Sequence, residues 1–91
     1  MNVDWDDNKA DSNLSKHGVS FDDALTVFDD PLARTRDDPD HSVDERRFVT
    51  IGRTRRDNLI VVCHTMTDEE IRIISAREAE SVERRDYEEE E

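Results

Sequence analysis

Cysteine is almost missing from this 91-residue chain: Cys63 stands alone, which excludes an internal disulfide and a cysteine-based zinc site. Cys63 lies within an apolar strand-like run, so a small buried hydrophobe describes it better than a catalytic thiol. Long apolar runs are missing too. None exceeds the stretch 59–65, and the amino terminus is acidic, so neither a membrane span nor a secretory signal is expected and the protein should be cytoplasmic. Leu, Ile, Val and Phe number only 20 of 91, close to the roughly 20% below which a charged chain is expected to stay disordered. Their clustering permits a core. A single domain over residues 1–91 buries roughly 60–65% of its unfolded surface, enough for one thin core that a bound partner would stabilise further.

Positive charge is the minority sign, and it is unevenly placed. Residues 1–45 hold 4 basic against 13 acidic side chains (net −9), residues 46–77 hold 7 against 4 (+3), and residues 78–91 hold 2 against 8 (−6), for a total of −12. A basic middle is thus set between two acidic arms. The net −12 argues against simple nucleic-acid binding at long range. Screening over roughly 8 Å at physiological salt still lets a local basic surface attract phosphate at contact. Arginines on strands and turns can also do no more than solubilise an edge. Arg outnumbers Lys by 11 to 2, a bias that fits either a GC-rich genome or a salt-adapted host.

The basic middle carries the strongest structural pattern. Residues 47–51, 59–65 and 71–75 are β-branched, apolar runs bounded by polar turn residues, the pattern of strands. The connections 52–58 and 66–70 are too short for crossover helices, so the three strands pair antiparallel. Alternation puts Leu59, Val61, Cys63 and Thr65 on one side and Ile60, Val62 and His64 on the other. Both sides are apolar, so each needs a cover. The covers are this chain's own helices, a second copy, or a partner docked on an apolar patch beside the arginines.

Around the sheet the local signals are helical. Residues 1–5 read as a short strand with Val3 and Trp5 on one side. Asp6 is an N-cap for a weak helix over residues 7–17, with Ala10 and Leu14 inward and Gly18 closing it. Lys16 and His17 in its last turn complement the helix dipole. Ser20 and Asp23 approximate a capping box for a second helix, in which Phe21, Ala24, Leu25 and Phe28 recur at helical spacing. Residues 31–45 read as an exposed loop. Its Asp37, Asp38, Asp40, His41 and Asp44 lack the glycine and final glutamate of an EF-hand, so acidic solvation is favoured over a metal site. Ser75 and Glu78 form another possible capping box, opening a last helix with Ala79, Val82 and Tyr87 inward and a fraying acidic tail at 88–91.

Several ordered phrases then resemble one family. They are Lys16-His17-Gly18-Val19-Ser20-Phe21, Val27-Phe28-Asp29-Asp30-Pro31, Arg47-Phe48-Val49-Thr50-Ile51-Gly52, His64-Thr65, Ile71-Arg72-Ile73-Ile74-Ser75-Ala76-Arg77, and the late Glu83-Arg84 with Tyr87-Glu88. At this spacing, over nearly the whole chain, the sequence is similar to the BrnT family. The resemblance implies an α+β, RelE-like ribonuclease fold: an antiparallel sheet of three to four strands with two N-terminal helices and one C-terminal helix. It further implies a type II toxin that cleaves RNA without a metal or other cofactor and inhibits translation. Its partner would be a BrnA-like antitoxin that binds DNA, in a complex that represses its own operon.

The residues offer the chemistry such a reaction needs. Cleavage of RNA without metal requires a base for the 2′-hydroxyl and cations for the charge growing on the phosphate. His64, Arg47 and Arg77 are the leading candidates, with Lys16, Arg72, Arg84 and Tyr87 secondary. Without a bulge in the third strand, Arg72 and Arg77 face opposite sides, and Arg77 is preferred. The bland readings stay open: His64 as a satisfied core histidine, and Arg77 as the partner of Glu78 or Glu83. A second functional class is an interaction module that lacks catalysis and only assembles with a DNA-binding antitoxin.

Overall fold

A computed structural model describes residues 2–89. In chain order the elements are β1 (Asn2–Trp5), α1 (Asp7–His17), α2 (Phe21–Ala24), a 3-10 segment (Leu25–Asp29), β2 (Arg34–Asp37) and a 3-10 turn (Pro39–His41). Then follow β3 (Phe48–Arg53), β4 (Leu59–Met66), β5 (Glu70–Glu78) and α3 (Ser81–Glu89). The strands form one sheet in the order β1-β5-β4-β3-β2. β1 runs parallel to β5, and every other pair is antiparallel.

Five strands thus stand where three to four were expected, because both edges gain one. β1 falls where the sequence put it, apart from Met1, which lies outside the described residues. β2 was hidden inside the expected loop at 31–45. Its sequence, RTRD, shows no apolar alternation, since an edge strand with one wet side and charged residues needs none. Thr35 reaches across to β3, its hydroxyl 2.7 Å from that of Thr50.

The helices also shift from expectation. Helix α1 has the expected limits: Asp6 accepts from the N–H groups of Asn8 and Lys9, and Gly18 closes it in the left-handed region at φ 70°. Ala10 packs against the core as expected, but the residue buried beyond it is Asn13 rather than Leu14, which is 51% exposed. The second helix begins under Ser20 as expected but tightens to 3-10 geometry after Ala24. There the Thr26 hydroxyl donates to the Asp23 carbonyl at 2.7 Å, a side-chain bond that competes with the helical ladder. The last helix starts at Ser81, not after Ser75, because Arg77 and Glu78 remain paired to Val61 and Ile60 in the sheet. In place of Ser75, the Glu83 carboxylate accepts the Glu80 N–H at 2.9 Å. Val82 is outward and exposed, whereas Tyr87 is buried. Of the tail expected to fray, Glu88 and Glu89 are helical, and residues 90–91 lie outside the described residues.

The two sides of the sheet are built differently. On one side α1, α2 and the 3-10 segment close over Ile60, Val62, Ile73 and Ala76, with Val19, Phe21, Ala24 and Val27 completing the core. Trp5 meets Phe21 edge-on at 5.8 Å. The packing is tight enough at β3 that a Cβ on Gly52 would lie 2.9 Å from Val27 and 3.0 Å from Ala33. Asn13 substitutes for a missing strand where β1 ends: its amide donates to Ala76 O at 2.8 Å and to Val19 O at 2.9 Å, and accepts from Ala76 N at 3.0 Å. The other side is covered at one end by α3. Tyr87 OH donates to Asp30 at 2.7 Å, and the same carboxylate accepts the N–H groups of Arg53 (2.8 Å) and Leu32 (2.9 Å). Burial works against the charged carboxylate, but these three donors and nearby Arg53 hold Asp30 below its ordinary value.

One irregularity sets which residues face out. Cys63 pairs with Ser75 but His64 pairs with Ile73, so Ile74 is an extra residue on β5, a β-bulge. Ile71, Ile73 and Ala76 can therefore all face the core, at 5%, 1% and 1% exposure. Arg72 and Arg77, opposite Thr65 and Val61, both face the open side. The bulge thus reverses the opposite-sides expectation. No described helix is long and apolar enough to cross a membrane.

Candidate functional site

Strand alternation, corrected by the bulge, sends the strand arginines to the open side. Arg34 and Arg36 on β2 pair with Ile51 and Val49, Arg53 pairs with Leu59, and Arg72 and Arg77 pair with Thr65 and Val61. Three of the chain's arginines, Arg36, Arg47 and Arg77, line a single cleft of about 420 Å³. His17 from the end of α1 and His41 from the 3-10 turn line it as well, beside Asp38, Asp40 and the sheet residues Val49, Val61 and Cys63. A second depression of about 320 Å³ continues it past Arg36 and Val49 toward Arg34, Glu83 and Asp86.

The turn that carries His41 is fastened to β3. The Asp38 N–H donates to Arg47 O at 2.9 Å, the Ser42 hydroxyl donates to Asp38 O at 2.7 Å, and the Arg47 N–H donates to Ser42 Oγ at 2.9 Å. These bonds hold Arg47 and His41 to one frame. Asp38, itself buried, approaches His41 Nδ1 at 2.9 Å.

The cations of the cleft are held differently. Arg77 makes a two-pronged pair with Glu83 at 2.8 and 2.9 Å. The pair raises the arginine further above its ordinary value and holds the Glu83 carboxyl below its own. Arg47 reaches Glu45 only at 3.9 Å, and its Nε is buried without a hydrogen-bond partner among the described residues. Burial pushes the Cys63 thiol up, Asp38 adds to the rise, and Arg47 opposes it more weakly. The thiol is therefore protonated at neutral pH and is no nucleophile.

The remaining candidates fall elsewhere. His64 is on the closed side, 0% exposed, between Phe28 and Phe48 at ring distances of 5.0 and 6.0 Å. Its Nδ1 lies 3.1 Å from Thr65 O, and its Nε2 lies 2.7 Å from Thr50 Oγ1. A carbonyl can only accept, so Nδ1 carries the proton and Nε2 accepts from Thr50. Burial depresses its basicity, leaving it neutral and out of reach of the cleft. Arg72 shares the open side with Arg77, but four β4 positions separate their partners, about 13 Å along the strand. Lys16 is exposed in a shallow depression of about 370 Å³ that shares His17, Ile74 and Ser75 with the cleft. Arg84 is exposed on α3 and does not line the cleft. Tyr87 is buried under Arg34 and Arg53, at 5.9 and 5.7 Å from its ring centre, where it fastens α3.

Sequence reasoning missed Arg36, Asp38, His17 and His41 as cleft residues. The alternation Arg34-Thr35-Arg36 was the available signal for the first. The Asp38–His41 spacing, i to i+3, was the signal for the pair. The open apolar patch expected on the second side is not present in that form. Tyr87, Leu59 and Val61 are buried, and the exposed large apolar residues Leu14, Leu32, Val43, Met66 and Val82 are scattered over separate elements. Among the described residues no group of three His, Cys, Asp or Glu side chains is placed to hold a metal ion.

Comparison with known proteins agrees with this architecture. Residues 5–83 match the family described as "Ribonuclease toxin, BrnT, of type II toxin-antitoxin system". The fold is similar to that of the Brucella abortus ribonuclease toxin BrnT, solved by crystallography at 1.1 Å resolution. The TM-score is 0.66 at 25% sequence identity, over 89% of this chain and 99% of that one. No curated protein matches. The match spans α1 through the start of α3, and hence every strand but most of β1 and every residue of the cleft, so the chain belongs to the BrnT family of ribonuclease toxins of type II toxin-antitoxin systems.

Proposed function

We propose that this protein is a metal-independent endoribonuclease of RelE-like type that inhibits translation by cutting RNA, with the reaction in the cleft of the open side. The convergence of Arg36, Arg47 and Arg77 on one cleft carries the reading. Fixed guanidinium groups neutralise a phosphodiester and stabilise the extra charge of its transition state, the role a metal ion has in other nucleases. A cognate antitoxin, BrnA-like and DNA-binding, would mask the same arginines with acidic side chains. Glu83 already engages Arg77 in that manner. Inducible expression without antitoxin should arrest growth, and Arg77→Ala should relieve the arrest at equal soluble level. Cleavage of RNA by the purified protein should persist in EDTA.

The second reading is an interaction module without catalysis. It is favoured by the Glu83–Arg77 pair and by Asp38 and Asp40 at the cleft, which compete with an anionic substrate. Normal growth with confirmed soluble wild-type protein selects it.

A further inference from the structure

With His64 sealed on the closed side, the cleft needs another base. We propose that His41, oriented by Asp38, is the general base of this cleft, and that Asp38 is its positioning residue. This inference rests on the ribonuclease reading above and adds the identity of the proton acceptor.

Geometry selects His41. Its Nδ1 faces Asp38 Oδ2 at 2.9 Å, and a carboxylate only accepts, so this contact fixes the tautomer with the proton on Nδ1. Nε2 is left as the acceptor, with no hydrogen-bond partner recorded among the described residues. The ring is accessible, with 67% of the side chain exposed, while Asp38 is 12% exposed and so shielded from competing water. A buried carboxylate holding an accessible imidazole is the arrangement by which hydrolytic sites keep a histidine in the productive tautomer. The two residues cannot drift apart, because Ser42 and the Asp38 N–H fasten their turn to Arg47, just before β3. The imidazole thus stays beside the guanidinium that would hold the phosphate.

The step balances without further reagents. Nε2 takes the proton of the ribose 2′-hydroxyl, and the 2′ oxygen forms a bond to phosphorus. The bond from phosphorus to the 5′ oxygen breaks, that oxygen takes a proton from solvent water, and the hydroxide so formed takes the proton from Nε2, which restores the base. The products are a 2′,3′-cyclic phosphate and a 5′-hydroxyl. The charged and titratable groups around His41 are Asp38 and Asp40 of its own turn, Arg36 of β2, Arg47 before β3, Cys63 of β4, Arg77 of β5 and His17 of α1.

The test uses the full-length purified protein and a mixed-sequence single-stranded RNA, assayed across pH 5–9 at low salt. His41→Ala should fold normally and cut about 100-fold more slowly, the low end of what a general base contributes. Added imidazole should restore part of its rate but none of the rate of Arg47→Ala. Asp38→Asn should retain some cleavage with the acidic limb of the pH profile displaced. Products should carry a cyclic phosphate. A His41→Ala protein that cuts at the wild-type rate with the wild-type pH profile overturns the assignment while leaving the ribonuclease reading intact. If wild-type protein cuts no RNA in any of these buffers, the ribonuclease reading fails first and the base with it.

Discussion

Strand β4 serves two unlike environments at once. On the closed side Ile60, Val62 and His64 are all nearly inaccessible, and even the polar atoms of His64 are consumed by Thr50 and Thr65. On the open side Val61 and Cys63 underlie a cleft whose cations are only partly engaged. Residues one position apart therefore differ in purpose: a histidine facing one way is structural, whereas a neighbour facing the other is part of a site. Residue type alone does not assign chemistry here; the side of the sheet does.

The sharpest way to break this comparison is to remove an open-side cation. Arg47→Ala should lower RNA cleavage about 100-fold or more, the usual loss for one transition-state donor, with a melting temperature within a few degrees of wild type. A large fall in stability with unchanged cleavage per folded molecule would mean that Arg47 belongs to the scaffold instead. The converse substitution is Asn13→Ala on the closed side. It strands both backbone groups of Ala76 and the Val19 carbonyl, at a cost of about 2–4 kcal/mol measurable by urea unfolding.

Titration gives a subtler contrast. The folded state holds His64 neutral through burial, while the unfolded chain takes up a proton near histidine's ordinary pKa of about 6.5. The folded value is the lower one, so this contribution is complete above about pH 6.5 and declines as pH falls below it. Asp30 and Glu83, both held below their ordinary values of 3.8 and 4.5, act with the same sign at lower pH. His64→Gln should therefore remove the upper part of the acid loss of stability and keep the lower part. An identical pH dependence in wild type and variant would refute the burial argument. The smallest effect belongs to Glu83→Gln. The pair is partly exposed, at 39% and 28%, so stability should change by less than about 1 kcal/mol. RNA affinity should rise as Arg77 is released, as seen by a filter-binding titration.

Local chemistry was legible in the sequence, and pairing was not. Asp6, Gly18 and Ser20 act on residues within a turn of themselves, so the start and end of α1 and the start of α2 follow from spacing. The family phrases likewise led to the correct family. β2 escaped because its partner, β3, lies beyond a turn and an acidic stretch, and its own four residues bury almost nothing. Asn13 escaped because a polar residue buried to complete a strand edge has no periodic signature. His64 has the correct chemical type for catalysis, but its place on the closed side, between Phe28 and Phe48, excludes it from the cleft.

The extra residue at Ile74 makes β5 a strand of two parities. Before it, odd-numbered residues turn to the core; after it, even-numbered ones do. A strand of uniform parity could bury Ile71 and Ile73 only by sending Arg77 inward and Ala76 outward, and the arginine cleft would lose one wall. Deleting Ile74 alone would leave that division in place, because Ile73, Ser75, Ala76 and Arg77 would then alternate regularly opposite their present β4 partners. Drawing Ile74 into the ladder opposite Cys63, by contrast, would re-index every residue that follows and turn Arg77 toward the core, whereas the exposed turn between β3 and β4 can absorb a change in length without altering the side to which any strand residue points.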